Sequence, residues 1–357
     1  MEPSVIPPLP VGYQLGWERG SYHWPMHSTR REKAHERAAF PKDRDLTVSD
    51  GTRITYTIRG DGPGTPVVFV NGWSCTDGYW TTIGPATAAA GHRVIFLDMR
   101  GHGESGLPRR PGVAARDLRA EDVAPERLAA DIVEVLDDAG VESAVLVGHS
   151  MGVQAIVETC RVAPGRVAGL VPIAGTFENP VKTFADKPVL DRLYPMADVL
   201  FRFVPFEGIR PVLRRIAHPS LGRRLIQGIG MGGPNVQEKD IASHIAHIGE
   251  VNFSVLFKMM SGLRRHRTAE FLPQIAVPTL VLAGRRDHFT PASVQQRMAD
   301  LIPDSELLWF DDAGHLLPIE EPDEVAAAIV DFLARRVITP PRRTVRVPGR
   351  SDEGVSQ

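Results

Sequence analysis

Apolar and polar positions along this chain fall into two rhythms that alternate from residue 45 onward. Leu46-Thr47-Val48 and Ile54-Thr55-Tyr56-Thr57-Ile58 alternate with period two around Asp50-Gly51, a tight-hairpin signal. Val67-Val68-Phe69-Val70 and Val94-Ile95-Phe96-Leu97 are apolar throughout, the mark of strands buried on both faces of a parallel sheet. Leu128, Ile132, Val135 and Leu136 share one helical face, and Gly140 can close that helix. Ala144-Val145-Leu146-Val147 is the next strand, followed by a helix from Val153 to about Val162 and the strand Leu170-Val171-Pro172-Ile173. Between 176 and 272 the strand-like runs stop, and apolar positions such as Phe253, Phe257 and Met260 recur at helical spacing. Alternation returns with Thr279-Leu280-Val281-Leu282 and Leu307-Leu308-Trp309-Phe310, then a helix carrying Val325, Ile329 and Phe332 on one face. The pattern predicts an α/β fold: a doubly wound, mostly parallel sheet interrupted by a helical insertion.

This divides the chain into an N-terminal extension (1–44), a first part of the core (45–175), the insertion (176–272), a second part of the core (273–338) and a flexible tail (339–357). The extension has no clear periodicity, but Tyr13, Trp17, Tyr22 and Trp24 point to partial packing on the body. The tail opens with Pro340-Pro341-Arg342-Arg343 and is poor in apolar residues.

Composition narrows the partners. With 43% hydrophobic and 24% charged residues among 357, the chain is expected to be soluble and globular. A formal charge of -2 supplies no basic field for nucleic acid. Cys75 and Cys160 allow at most one bridge and no metal-ligand cluster, so they are expected to be reduced and no metal or other cofactor is expected. No apolar run has signal-peptide length, and none nears the ~20 residues of a spanning helix. The expected location is the cytoplasm, the expected partner a small-molecule substrate, with no stable membrane insertion.

Gly148-His149-Ser150-Met151-Gly152 sits between a buried strand and a helix. A sharp strand-to-helix turn lifts its central side chain clear of the sheet and strains that residue's backbone, so the neighbours two positions away must be small. A glycine-rich turn with an incidental serine is the plainer reading of the pentapeptide alone; its setting favours Ser150 as a nucleophile. Serine is inert at neutral pH without a base, which in turn needs an orienting carboxylate. In this chain order the acid follows the serine and the histidine comes last. Asp287, in Gly284-Arg285-Arg286-Asp287-His288, and His315, in Asp312-Ala313-Gly314-His315, both follow strands at the edge where open α/β sheets place their sites. Glu178, just past the strand ending at Ile173, is the rival acid. Of twelve histidines, His315 alone combines a loop after the final strand with a preceding glycine.

A tetrahedral oxyanion needs two preplaced N–H donors. Met151 offers one from the turn, and Trp73, in Asn71-Gly72-Trp73-Ser74 after the strand Val67–Val70, offers the second.

Taken in order from residue 67 to 322, several segments together resemble the α/β-hydrolase superfamily, in its small-molecule esterase, haloperoxidase and epoxide-hydrolase-like branch. They are Asn71-Gly72-Trp73 with Trp80, Asp98-Met99-Arg100-Gly101-His102-Gly103-Glu104-Ser105, Gly148–Gly152, Gly284–Pro291, and Gly314-His315 with Glu320 and Pro322. The resemblance implies that Asp98 and Arg100 are structural and that residues 176–272 are a cap over the site. Epoxide hydrolases and haloalkane dehalogenases of that branch carry Asp at the elbow, and Ser150 argues against both. The branch usually has His-Gly where this chain has Asn71-Gly72, and Val153 stands where a third glycine is frequent.

The expected chemistry is cleavage of a carboxylic ester, thioester or lactone through an acyl-enzyme. The same triad could instead serve cofactor-free perhydrolysis, carbon–carbon bond hydrolysis or acyl transfer; a non-enzymatic ligand receptor is the remaining reading. Phe184, Leu193, Tyr194, Met196, Phe201, Phe203, Phe206, Met231, Phe253, Phe257, Met259 and Met260 make the cap apolar, favouring a small to medium apolar substrate. Its basic pairs Arg214-Arg215, Arg223-Arg224 and Arg264-Arg265 are read first as a solvated face, with an anionic substrate second.

Overall fold

The alternation of strand and helix closes into one sheet of eight strands in the order β1-β2-β4-β3-β5-β6-β7-β8. The computed structural model describes residues 39–110, 118–183, 191–192, 194, 224, 226–228, 230–237 and 251–337. The strands are β1 (Arg44–Thr47), β2 (Arg53–Arg59), β3 (Gly64–Val70), β4 (His92–Asp98), β5 (Ala144–His149), β6 (Val167–Ile173), β7 (Thr279–Gly284) and β8 (Ser305–Phe310). The β1–β2 hairpin and the β2–β4 pair are antiparallel; every other pair is parallel. The longer helices are α1 (Ile83–Ala89), α2 (Pro125–Asp138), α3 (Met151–Val162), α4 (Phe253–Arg265), α5 (Ala292–Leu301) and α6 (Pro322–Arg336).

Successive side chains of a strand point to opposite faces, so an all-apolar run feeds two cores at once. Val68, Val70, Ile95, Leu97, Leu146, Leu170 and Val281 join one cluster with Leu128, Ile132 and Leu136 of α2, Ile156 of α3 and Met298 of α5. Val67, Phe69, Val94, Phe96, Val145, Val147, Val171, Leu280 and Leu282 join the other, with Ile83 of α1 and Val325, Ile329 and Phe332 of α6. The sheet is covered on both faces, as the uninterrupted apolar runs require.

Residues 39–44, which the periodicity assigns to the extension, are part of the body. Asp77 accepts hydrogen bonds from Ala39 N (3.2 Å), Phe40 N (3.0 Å) and Lys42 Nζ (2.5 Å), and the Phe40 ring stacks on Phe96 with centroids 4.0 Å apart. The Lys42 side chain is fully buried. Burial works against its charge, but the carboxylates of Asp98, Asp77 and Glu104 outweigh it and hold the ammonium pKa above its usual value. Residues 1–38, with Tyr13, Trp17, Tyr22 and Trp24, and the tail from 338 on lie outside the described residues.

Asp98 accepts from Glu104 N, and Arg100 is buried against Asp131 (2.6 and 2.7 Å) and Asp50 (2.7 Å), so both hold the loop after β4 together. Of the insertion, α4 is the longest described element. Asn252 caps it by accepting from Ser254 N and Val255 N. Val255, Leu256, Met259 and Leu263 face inward, and Val255, Met259 and Leu263 join the core on that side of the sheet. Met259 is therefore core, and Phe257 stacks on Tyr194 at 5.5 Å. Arg265 pairs with Glu121 on the exposed surface, whereas Arg264 is largely covered, pairing with Asp191 and lying over the Tyr194 ring at 3.9 Å. Phe184, Leu193, Met196, Phe201, Phe203, Phe206, Arg214, Arg215, Arg223 and the Phe253 side chain lie outside the described residues. Among the described residues no helix is long and apolar enough to cross a membrane.

Candidate active site

β5 ends at His149 and α3 begins at Met151, leaving one residue, Ser150, to make the turn. Its φ of 54° with ψ of -115° is a conformation that side chains rarely adopt. The turn presses α3 against β3: a Cβ on Gly152 would stand 2.5 Å from Val70 O. Ser150 N donates to Ile173 O of β6 (3.0 Å), which fixes the turn between two strands. The strained residue displaces the expected helix start from Val153 to Met151.

Asp287 lies on the loop after β7 and His315 on the loop after β8. His315 Nε2 stands 2.8 Å from Ser150 Oγ, and His315 Nδ1 stands 3.0 Å from Asp287 Oδ2. Serine, aspartate and histidine are 8%, 2% and 3% exposed, so these contacts are shielded from bulk water. The aspartate is itself held: Oδ1 accepts from Phe289 N and Thr290 N (both 2.8 Å), and Oδ2 accepts from Thr290 Oγ1 (2.6 Å). A carboxylate oxygen already fed by hydrogen bonds accepts from His315 Nδ1–H, which leaves the Nε2 lone pair for the Ser150 hydroxyl. Glu178 is elsewhere; it pairs with Arg297 at 2.7 Å. The three residues named from chain order thus meet, and the rival acid does not join them.

The loop after β3 comes against the same serine. A Cβ on Gly72 would be 2.9 Å from His149 Nδ1, 3.0 Å from Cys75 Sγ and 3.1 Å from Ser150 Cβ, so only glycine permits this approach. Asn71 Oδ1 accepts from Trp80 Nε1 at 2.6 Å and anchors the loop from behind. The Trp73 indole donates to Leu256 O of α4 at 2.9 Å. No group among the described residues accepts from the Trp73 backbone N–H. Met151 is the first residue of α3, so its N–H precedes the first intrahelical bond.

His149 was not legible as a site residue. It is wholly buried, and its Nε2–H donates to His315 O at 2.8 Å, leaving Nδ1 3.9 Å from Cys75 Sγ. Burial pushes the Cys75 thiol up to about 12, so it stays neutral beside the histidines. Both cysteines are free and buried.

Glu126, Glu158 and His266 bring possible metal-ligand atoms within 4.8 Å of one another. The ligand atoms of the two buried members, His266 and Glu158, are already engaged. Gln154 Nε2 donates to His266 Nδ1 (3.2 Å), which puts the imidazole proton on Nε2, facing Glu158 at 3.0 Å. Arg161 covers the same carboxylate. A cation there would have to displace both that proton and the guanidinium, so the cluster reads as an ion-pair network.

A serine on a strained strand-to-helix turn, a histidine at hydrogen-bond distance and a buried aspartate behind it define the serine-hydrolase class of site. The chain belongs to the alpha/beta hydrolase family, whose model matches residues 67–328, and it is a hydrolase. It is 27% identical to epoxide hydrolase A of Mycobacterium tuberculosis, over 82% of this chain and 97% of the relative. It is 26% identical to a non-heme chloroperoxidase of Streptomyces lividans, over 81% and 98%. Among solved structures, a hydrolase from Pseudomonas aeruginosa PA01 superposes with a TM-score of 0.63 at 26% identity, covering 81% of this chain and 97% of that one.

Proposed function

We propose that the protein cleaves a carboxylic ester, thioester or lactone of a small to medium apolar substrate through an acyl-enzyme on Ser150. The observation that carries this reading is the continuous hydrogen-bonded line from Ser150 Oγ through His315 to Asp287. Ser150 Oγ attacks the carbonyl carbon while His315 Nε2 takes its proton. The bond from the acyl carbon to the leaving oxygen (sulfur in a thioester) then breaks as that proton passes to the departing atom. Water, losing a proton to His315, attacks the acyl carbon, and the acid leaves with Ser150 restored. Asp287 holds the imidazole in the Nδ1–H tautomer and stabilises its charge. The backbone N–H groups of Trp73 and Met151 receive the oxyanion.

Epoxide opening does not suit this elbow. A serine that attacked an epoxide carbon would form an ether, which the same water cannot hydrolyse; an acyl ester can be turned over. Residues 176–272 we read as the cap, on the strength of α4 being seated over the oxyanion loop through Trp73 and Leu256. The two free thiols suit a reducing compartment, and we assign the protein to the cytoplasm.

A panel of p-nitrophenyl esters of rising acyl length tests the proposal. Wild-type protein should turn over the short to medium members, and Ser150→Ala should lose at least about 10³-fold in kcat with the fold intact. Comparable turnover by the alanine variant would rule the assignment out.

A further inference from the structure

Residues 230–233, Gly-Met-Gly-Gly, lie far in sequence from the triad loops yet run along both of them. His288 N, next to Asp287, donates to Gly230 O at 2.9 Å, and His315 N donates to Met231 O at 2.8 Å. Gly233 N donates to Glu320 Oε2 at 2.7 Å. That carboxylate is buried, and it also accepts from Gly314 N on Oε2 (3.0 Å) and from Leu316 N on Oε1 (3.0 Å). The N–H groups on either side of His315 therefore end on Glu320, and the N–H of His315 itself ends on the 230–233 strap. Packing leaves little play: a Cβ on Gly233 would lie 2.3 Å from Asp312 O and 2.4 Å from Glu320 Oε2.

From this geometry we infer that Glu320, working with the 230–233 strap, is a positioning residue that sets where His315 Nε2 stands relative to Ser150. Glu320 bonds to neither Ser150 nor the imidazole; it acts on the backbone that carries the imidazole. A carboxylate suits the task because its two oxygens can take three convergent N–H donors, which no neutral side chain can do with both ends. In Glu320→Gln the carbonyl would keep the pair on Oε2, and the NH2 would face Leu316 N–H, donor against donor. The segment after His315 would then be released.

The inference rests on His315 being the base for Ser150, and the test separates the two. The rate of Ser150 labelling by a fluorophosphonate, and kcat for a p-nitrophenyl ester per titrated Ser150, are compared in wild type, Glu320→Gln and Gly233→Ala. Misplacing a reacting group by about 1 Å costs about 10²-fold, so both variants should fall by about that factor in kcat and labelling rate, with KM within about two-fold of wild type. A folded Glu320→Gln whose per-site kcat stays within two-fold of wild type would overturn the inference. If Glu320→Gln does not fold, Gly233→Ala decides, because it keeps the carboxylate's chemistry while its Cβ, 2.4 Å from Glu320 Oε2, forces the strap and the carboxylate apart; an unchanged per-site rate there is equally fatal. Wild type that labels with fluorophosphonate but hydrolyses no ester would defeat the ester reading while leaving the labelling rates to judge Glu320.

Discussion

Replacing Asp287 by Asn probes the site with almost no change in shape. Asp287 Oδ1 faces two backbone N–H groups, from Phe289 and Thr290, each at 2.8 Å. An asparagine must therefore keep its carbonyl oxygen there, because an NH2 would meet two donors. Its NH2 then replaces Oδ2 and points at His315 Nδ1, 3.0 Å away. The imidazole can accept that donor only by moving its proton to Nε2, which then faces Ser150 Oγ and cannot take the serine proton. A serine-protease triad put in the wrong tautomer this way loses about 10⁴-fold in kcat, or about 5.5 kcal/mol of transition-state stabilisation. The assay is steady-state hydrolysis of a p-nitrophenyl ester at neutral pH, with the melting temperature as the control for folding. Glu178→Gln, which alters a carboxylate paired with Arg297, should leave kcat unchanged. The reasoning fails if Asp287→Asn retains kcat within about ten-fold of wild type, or if Glu178→Gln shows the large loss instead.

Two further outcomes concern stability. Lys42→Met leaves Asp77, Asp98 and Glu104 without their buried counter-ion, and should cost about 3–5 kcal/mol in urea unfolding; a loss below about 1 kcal/mol would show that those carboxylates find other compensation. Burial pushes the Glu158 carboxyl up, but hydrogen bonds from His266 and Arg161 win and hold it down to about 2, against an ordinary value of 4.5. A depressed folded-state value stabilises above the unfolded one, so this contribution is present above about pH 4.5 and is lost as pH falls toward 2. Glu158→Gln should flatten the pH dependence of the unfolding midpoint across that window, and an unchanged slope would contradict the assignment.

What could be read from residue order, and what could not, divides along the range of the interactions. The buried strands were legible because Val67–Val70 or Val94–Leu97 must be apolar at every position to feed two cores, a local property of a few residues. Asp287 and His315 were legible because the elbow sets a chain order and strand ends set the places. Residues 39–44 were not, since Lys42 looks like a surface residue until Asp77, 35 positions away, is brought beside it. His149 and Glu320 were invisible as positioning groups for the same reason. The former reaches His315 O across 166 positions and the latter Gly233 N across 87, and hydropathy carries no trace of either bond. The helix start was misjudged by two residues because the positive φ of Ser150 lets α3 begin at once.

The central claim is a covalent acyl group on Ser150. Rapid acid quenching during turnover of a p-nitrophenyl ester, followed by intact mass measurement and peptide mapping, tests it directly. The account predicts a mass increase equal to one acyl group, located on the peptide containing Ser150, absent in Ser150→Ala and far slower to form in Asp287→Asn. An acyl group mapped to another residue, or turnover with the same adduct in Ser150→Ala, would contradict it.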